Sequence, residues 1–137
     1  MRGYAVDTIR DYGVKASGPE AAARSLSGGN LQKFIVGREI RQAPSVMIAA
    51  QPTWGVDVGA SAQIRQALVD LRDAGCAVLV VSEELDELFE ICDRLAVIAH
   101  GALSEAMPIA DTDAEAIGLL MSGARAGHDR TSADTPA

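Results

Sequence analysis

The sequence is poor in aromatics: one tryptophan, two tyrosines and two phenylalanines in 137 residues. Its core must therefore be aliphatic, and a hydrophobic content of 48% excludes global disorder. Cysteine is scarce too. Cys76 and Cys92 sit alone in apolar patterns, without a Cys-rich framework or metal-ligand spacing, so two reduced core thiols in a cytosolic protein are expected. No apolar run reaches the roughly 20 residues that span a bilayer. The opening MRGYAVDTIRDYG lacks the apolar stretch of a secretory signal. Positive charge is short as well, with a formal net charge of -7. Residues 1–45 carry seven Lys/Arg against four Asp/Glu, whereas residues 46–137 carry five against fifteen. An acidic surface of that size disfavours general nucleic-acid binding. The small basic excess at the start is at most a weak pointer to a phosphate.

What is present suffices for one small domain. Residues 1–12 have Tyr4, Val6 and Ile9 at helical spacing, and GVKASGPEAAARS reads as a loop. A helix is expected from Asn30 to about Gln42, with Leu31, Phe34 and Ile35 on one face, ended by Pro44. SVMIAA, Ser45–Ala50, has the composition of a strand buried on both faces. Ile64, Ala67, Leu68 and Leu71 predict a helix over 60–74, which Gly75 stops. The unit repeats with the strand CAVLVVS, the helix EELDELFEIC and a third strand RLAVIA, which His100-Gly101 turns towards a short partner near ALSEA. A last helix is expected over 113–121, and residues 122–137 read as a disordered tail. Strand–helix–strand–helix–strand implies an α/β fold with a parallel sheet and right-handed crossovers. Ligands of such sheets bind beyond the carboxyl ends of the strands, here Ala50-Gln51 and Ser82-Glu83.

The strongest local signal is SLSGGNLQK, Ser25–Lys33. A hydroxyl, two glycines and a helix start make a phosphate-binding corner, because the first amides of a helix are unpaired and carry the positive end of its dipole. Ser-Gly-Gly is equally a common capping arrangement, and on physics alone the two readings stand level.

LSGGNLQK resembles the signature motif of ATP-binding-cassette (ABC) ATPases, and its Asn30 variant followed by Gln32-Lys33 is similar to the tandem-cassette sugar and nucleoside importers. VMIAAQPTWGVDVGA, Val46–Ala60, resembles the Walker B strand and D-loop, with Asp57 at the D-loop acid. VLVVSEELDELFEICDRLAVIAHGAL resembles the switch strand and the segment C-terminal to it. The likeness covers about Tyr4 to Met121, with the motifs in family order. It implies a partial P-loop NTPase (RecA-like) sheet with flanking helices, lacking the Walker A strand-loop-helix. The expected organisation is residues 1–121 as the C-terminal portion of the second cassette's nucleotide-binding domain, followed by the tail.

The departures are chemical. The Walker B acid that holds magnesium in the family is Ala50 here, the catalytic glutamate is Gln51, and the switch histidine is Glu83. Alanine has no oxygen for a cation, an amide is no general base, and a carboxylate repels a triphosphate. No G-x-x-x-x-G-K-[ST] occurs in the chain. The chain is therefore expected to hydrolyse no ATP alone. ABC cassettes work as head-to-tail pairs, so Ser27, Gly28, Gly29, Asn30 and Asp57 are the expected nucleotide-binding residues, acting on ATP shared with a partner cassette. That partner, not this chain, would hold the Mg2+. The resemblance further implies transmembrane permease subunits as partners, no nucleic acid, and a cytoplasmic place on the inner face of the cell membrane. A truncated, non-enzymatic remnant or interaction module is the alternative, and an independent ATPase with unusual residues a third reading that the missing Walker A opposes.

Lesser features read more simply. Leu85, Leu88 and Phe89 are expected to face the core, with Glu84, Asp86, Glu87 and Glu90 as a solvated face. His100 precedes a turn glycine and His128 lies in the tail, neither with a ligand partner in view. Trp54 either packs or touches the partner cassette; packing is favoured, because lone aromatics usually pack.

Overall fold

The computed structural model describes residues 2–123. The expected tail lies outside the described residues from position 124 onward. The chain divides into two compact units, one ending at Ile91 and the other starting at Cys92.

The first unit is built on helix α1 (Arg2–Asp11), helix α2 (Gly28–Ile40), strand β1 (Val46–Ala50), helix α3 (Val58–Asp73), strand β2 (Ala77–Val81) and helix α4 (Leu85–Ile91). Two helices begin earlier than their apolar patterns predict, and capping is the reason. Ser27 caps α2 and Asp57 caps α3, each side chain accepting from the amide three residues on. Inside α3 the predicted stripe is the core, with Ile64, Leu68 and Leu71 buried. In α2 the buried positions are Val36 and Gly37, whereas Leu31, Phe34 and Ile35 are only half-buried. Gly37 explains this: the ring of Tyr12 lies against it, and a Cβ there would stand 2.5 Å from Tyr12 Cδ2. The aromatic that follows α1 thus takes the place of a side chain on α2.

β1 and β2 pair in parallel, in the register Val46↔Ala77, Ile48↔Leu79 and Ala50↔Val81. The expected burial on both faces is corrected. Met47 and Ala49 are buried, but Val46, Ile48, Leu79 and Val81 are exposed, Ile48 to 67%. Because the exposed residues are cross-strand neighbours, they form one contiguous apolar face. α4 corrects a second expectation. Glu87 is 4% exposed, not solvated, and its Oε2 accepts from Ser82 Oγ at 2.9 Å.

The second unit contains β3 (Arg94–Leu95), β4 (Ile98–Ala99), β5 (Ala102–Leu103), β6 (Met107–Pro108) and helix α5 (Ala114–Met121). The expected third parallel strand RLAVIA is not formed. Its ends are separate two-residue strands, β3 antiparallel to β6 and β4 antiparallel to β5. His100 and Gly101 have φ of 50° and 76°, the left-handed pair that closes a tight hairpin. Ser104 completes the fold-back: its amide donates to the Val97 carbonyl, and its Oγ accepts from the Val97 amide. A partner a few residues away costs little closure entropy, so the local pairing forms. Asp113 caps α5, whose Ile117 is buried.

Candidate functional site

The site lies in the first unit, where two helix starts meet the carboxyl edge of the β1–β2 sheet. The strand tips are joined as expected: the Gln51 amide donates to the Val81 carbonyl at 2.7 Å. Gln51 then turns the chain with φ of 48°, and the Trp54 amide closes the turn on the Gln51 carbonyl at 3.1 Å. From the neighbouring helix, Gln32 Nε2 donates to the same carbonyl at 3.4 Å. The turn after β1 is thus tied to α2.

Ser27, Gly28, Gly29 and Asn30 form the first turn of α2 and its cap. Ser27 Oγ accepts from Asn30 Nδ2 at 2.8 Å and from the Asn30 amide at 3.4 Å. With those lone pairs engaged, the hydroxyl proton has no acceptor among the described residues. The amides of Gly28 and Gly29 also lack one, as the first amides of a helix do. Asn30 is held in turn, because its Oδ1 accepts from the Lys15 amide at 2.8 Å. Three donors therefore face outward from a braced corner at the positive end of a helix dipole. This arrangement suits a phosphate oxygen.

Asp57 belongs to the same corner. A Cβ on Gly29 would meet Asp57 Oδ2 at 3.6 Å, and one on Gly28 would meet the Gly55 carbonyl at 3.5 Å. Asp57 Oδ1 accepts from the Ala60 amide at 2.9 Å. That backbone bond, more than any other influence, holds the carboxyl below its ordinary value of 3.8, against a smaller opposing effect of burial. Its charge is used to cap α3.

The other predicted positions are also at the sheet edge. Ala50 ends β1 and presents a methyl, Gln51 is half-buried in the turn, and Glu83 is exposed just beyond β2. Sequence reasoning missed two features here. Trp54 is not packed but 76% exposed, because the hydrogen-bonded turn holds it away from the core. Glu87 is drawn inward by Ser82, a serine just past the end of β2 that also accepts from the Glu84 amide; a hydroxyl five residues before an acid was the available signal. A cleft of about 720 Å³ lies elsewhere, between α1, α2 and α3. Its cations are already engaged, Lys33 by the Gly13 carbonyl and Gln63, and Arg10 and Arg41 by Asp7 and Asp11.

No family model matches the chain. Individual relatives do. It is 46% identical over 115 residues to the guanosine import ATP-binding protein NupO of Bacillus subtilis, covering 84% of this chain and 22% of that protein. It is 46% identical over 125 residues to the glucose import ATP-binding protein TsgD13 of Haloferax volcanii, covering 90% and 23%. The ribose import ATP-binding protein RbsA of Bacillus licheniformis is 42% identical over 117 residues, covering 85% and 24%. The chain thus spans less than a quarter of these relatives. Among solved structures, a dimeric ATP-binding cassette in a post-hydrolysis state bound to ADP and Pi matches with a TM-score of 0.68 at 21% identity, over 78% of this chain and 46% of that one. A nucleotide-free cassette matches with 0.69 at 21% identity, over 86% and 49%. The fold is that of part of such a cassette, and the chain's sequence relatives are ATP-binding proteins for sugar and nucleoside import.

Proposed function

We propose that this chain is the C-terminal part of the second cassette in an ATP-binding subunit of a sugar or nucleoside ABC importer. It contributes its signature corner in trans to ATP held by a partner cassette, while its own hydrolytic site is degenerate. One observation carries this reading. Gly28 and Gly29 occupy the first turn of a helix, where a residue with a side chain would lose less backbone freedom on folding. Yet a Cβ at either position would make only ordinary contacts, at 3.5–3.7 Å, with this chain. Neither residue has the positive φ that calls for glycine. The fold has no use for two bare positions beside three free donors; a ligand approaching from outside does.

Bound ATP supplies a γ-phosphate whose oxygens match those donors. On this side Ser27 Oγ and the Gly28 and Gly29 amides grip and orient, and charge-assisted hydrogen bonds favour the triphosphate over ADP. Lys33 takes no part, because its ammonium is turned to Gly13 and Gln63. The tip of β1 does not supply the two acids expected there: Ala50 offers no oxygen for a magnesium ion and Gln51 no basic one for a water. Mg2+ therefore falls to the partner. Permease subunits complete the assembly, and the chain sits on the cytoplasmic face of the membrane. None of its described helices is long and apolar enough to cross one.

The purified chain is expected to hydrolyse no ATP above background, and Gln51→Glu to restore none, since Ala50 remains. Magnesium-dependent turnover by either protein, surviving removal of contaminating ATPases, would overturn the degenerate-site reading.

A further inference from the structure

We propose that Lys33 is a positioning residue for the signature corner: it does not grip the nucleotide but locks the turn after α1, through which Asn30 aims the Ser27 hydroxyl. This rests on the reading above and deepens it at a side chain outside the corner. Lys33 lies three residues after Asn30 in α2, so the two side chains share one face of the helix. Both reach the turn that follows α1. Asn30 Oδ1 accepts from the Lys15 amide at 2.8 Å, and Lys33 Nζ donates to the Gly13 carbonyl at 2.9 Å. The turn is firm on its own side, with the Val14 amide donating to the Ile9 carbonyl at 2.9 Å and the Val14 side chain buried. Lys33 also donates to Gln63 Oε1 at 3.3 Å. That bond ties the turn to α3, the helix that Asp57 caps in the same corner.

Ordinary packing does not account for this placement. A lysine ammonium is normally left in water on a flexible stem, and fixing it costs side-chain entropy. Here both acceptors are neutral, so no ion pair offsets that cost. What the two bonds achieve is geometric. With Gly13 held, the Lys15 amide two residues on stays where Asn30 Oδ1 accepts it. Asn30 Nδ2 is then directed at Ser27 Oγ, 2.8 Å away, and the hydroxyl proton is left to point outward. Without Lys33 the turn can swing and the Asn30 amide group can rotate. Ser27 then loses the partner that makes its hydroxyl a donor.

The test is steady-state ATP turnover by the full-length subunit assembled with its permease, over a range of ATP concentrations. Lys33→Met keeps the stem and removes the ammonium. It is expected to lower kcat about tenfold while KM stays within about twofold, because the partner still binds ATP and only an interaction made on closure is lost. Lys33→Arg should recover most of kcat. Because Lys33 acts through Asn30, adding Lys33→Met to Asn30→Ala should lower kcat by no more than about twofold further. A merely structural lysine would give losses that multiply. That outcome, or a Lys33→Met kcat equal to wild type, would overturn the positioning role. If Lys33→Met does not fold, Gln63→Ala takes its place in the same cycle. It removes one of the ammonium's two acceptors from an exposed position on α3, with an expected loss of about threefold; no loss, or a multiplied one, overturns the role equally. Ser27→Arg in the same assay keeps the two claims apart. Wild-type turnover by that variant overturns the trans signature itself, whereas a loss there with Lys33→Met unaffected overturns only the positioning by Lys33.

Discussion

The residues of the corner divide into those that the fold uses and those that it leaves free. Asp57 is used. Its carboxylate caps α3, and the Ala60 amide lowers its pKa below 3.8. Because the folded value is the lower one, the cap's contribution to stability is fully present above 3.8 and is lost as pH falls through the folded value. A carboxyl-resolved NMR titration should place the Asp57 midpoint below 3.8, with the Ala60 amide shifting in step; a midpoint at or above that value contradicts the cap. Ser27 and Asp57 stand at helix starts as the sequence suggests and cap α2 and α3; on physics alone the serine and glycines read equally as a cap, and it is the resemblance that singles out Ser27, Gly28, Gly29 and Asp57 for a nucleotide. The surroundings of Trp54 and Glu87 were not legible in the sequence. Periodicity counts apolar positions, and neither a turn that lifts a ring into solvent nor a serine that draws an acid inward changes that count.

Among the elements, α1 to α5, β1 and β2 follow from apolar spacing, with ends that the caps at Ser27, Asp57 and Asp113 explain. The run RLAVIA does not follow from it, because strand composition does not name a partner and the His100-Gly101 turn supplies one nearby. The packing of α1 against α2 depends on a single missing side chain. Gly37→Val should clash with the Tyr12 ring, which lies 2.5 Å from the first added carbon. A loss of about 1–3 kcal/mol in denaturant unfolding is expected, the usual range for overpacking. A stability unchanged within error would mean that Tyr12 does not hold this position.

The molecule as a whole leaves one face of its parallel sheet bare. Val46, Ile48, Leu79 and Val81 are strand residues of a composition suited to burial, and they are exposed side by side. Such a face favours association. Sedimentation of the isolated chain should show concentration-dependent self-association that Leu79→Lys weakens; a strict monomer at high concentration, or a variant that associates equally, would show the face to be inert. The resemblance anticipates this bareness, since it implies a missing strand and helix. The apolar pattern alone does not, because it reads the same whether or not its cover is in the chain.

The central claim is that the corner at Ser27 acts on a nucleotide held elsewhere, and it meets its most direct test in ATP turnover by the full-length subunit assembled with its permease, comparing wild type with Ser27→Arg. The substitution sits on an exposed cap, so the fold should survive at a cost of about 1 kcal/mol, which circular dichroism can verify. Turnover should fall at least about tenfold, because a buried side chain of that size and the lost hydroxyl both block closure on the γ-phosphate. Turnover equal to wild type in a folded, assembled variant would contradict the account and leave Ser27 as nothing more than the cap of α2.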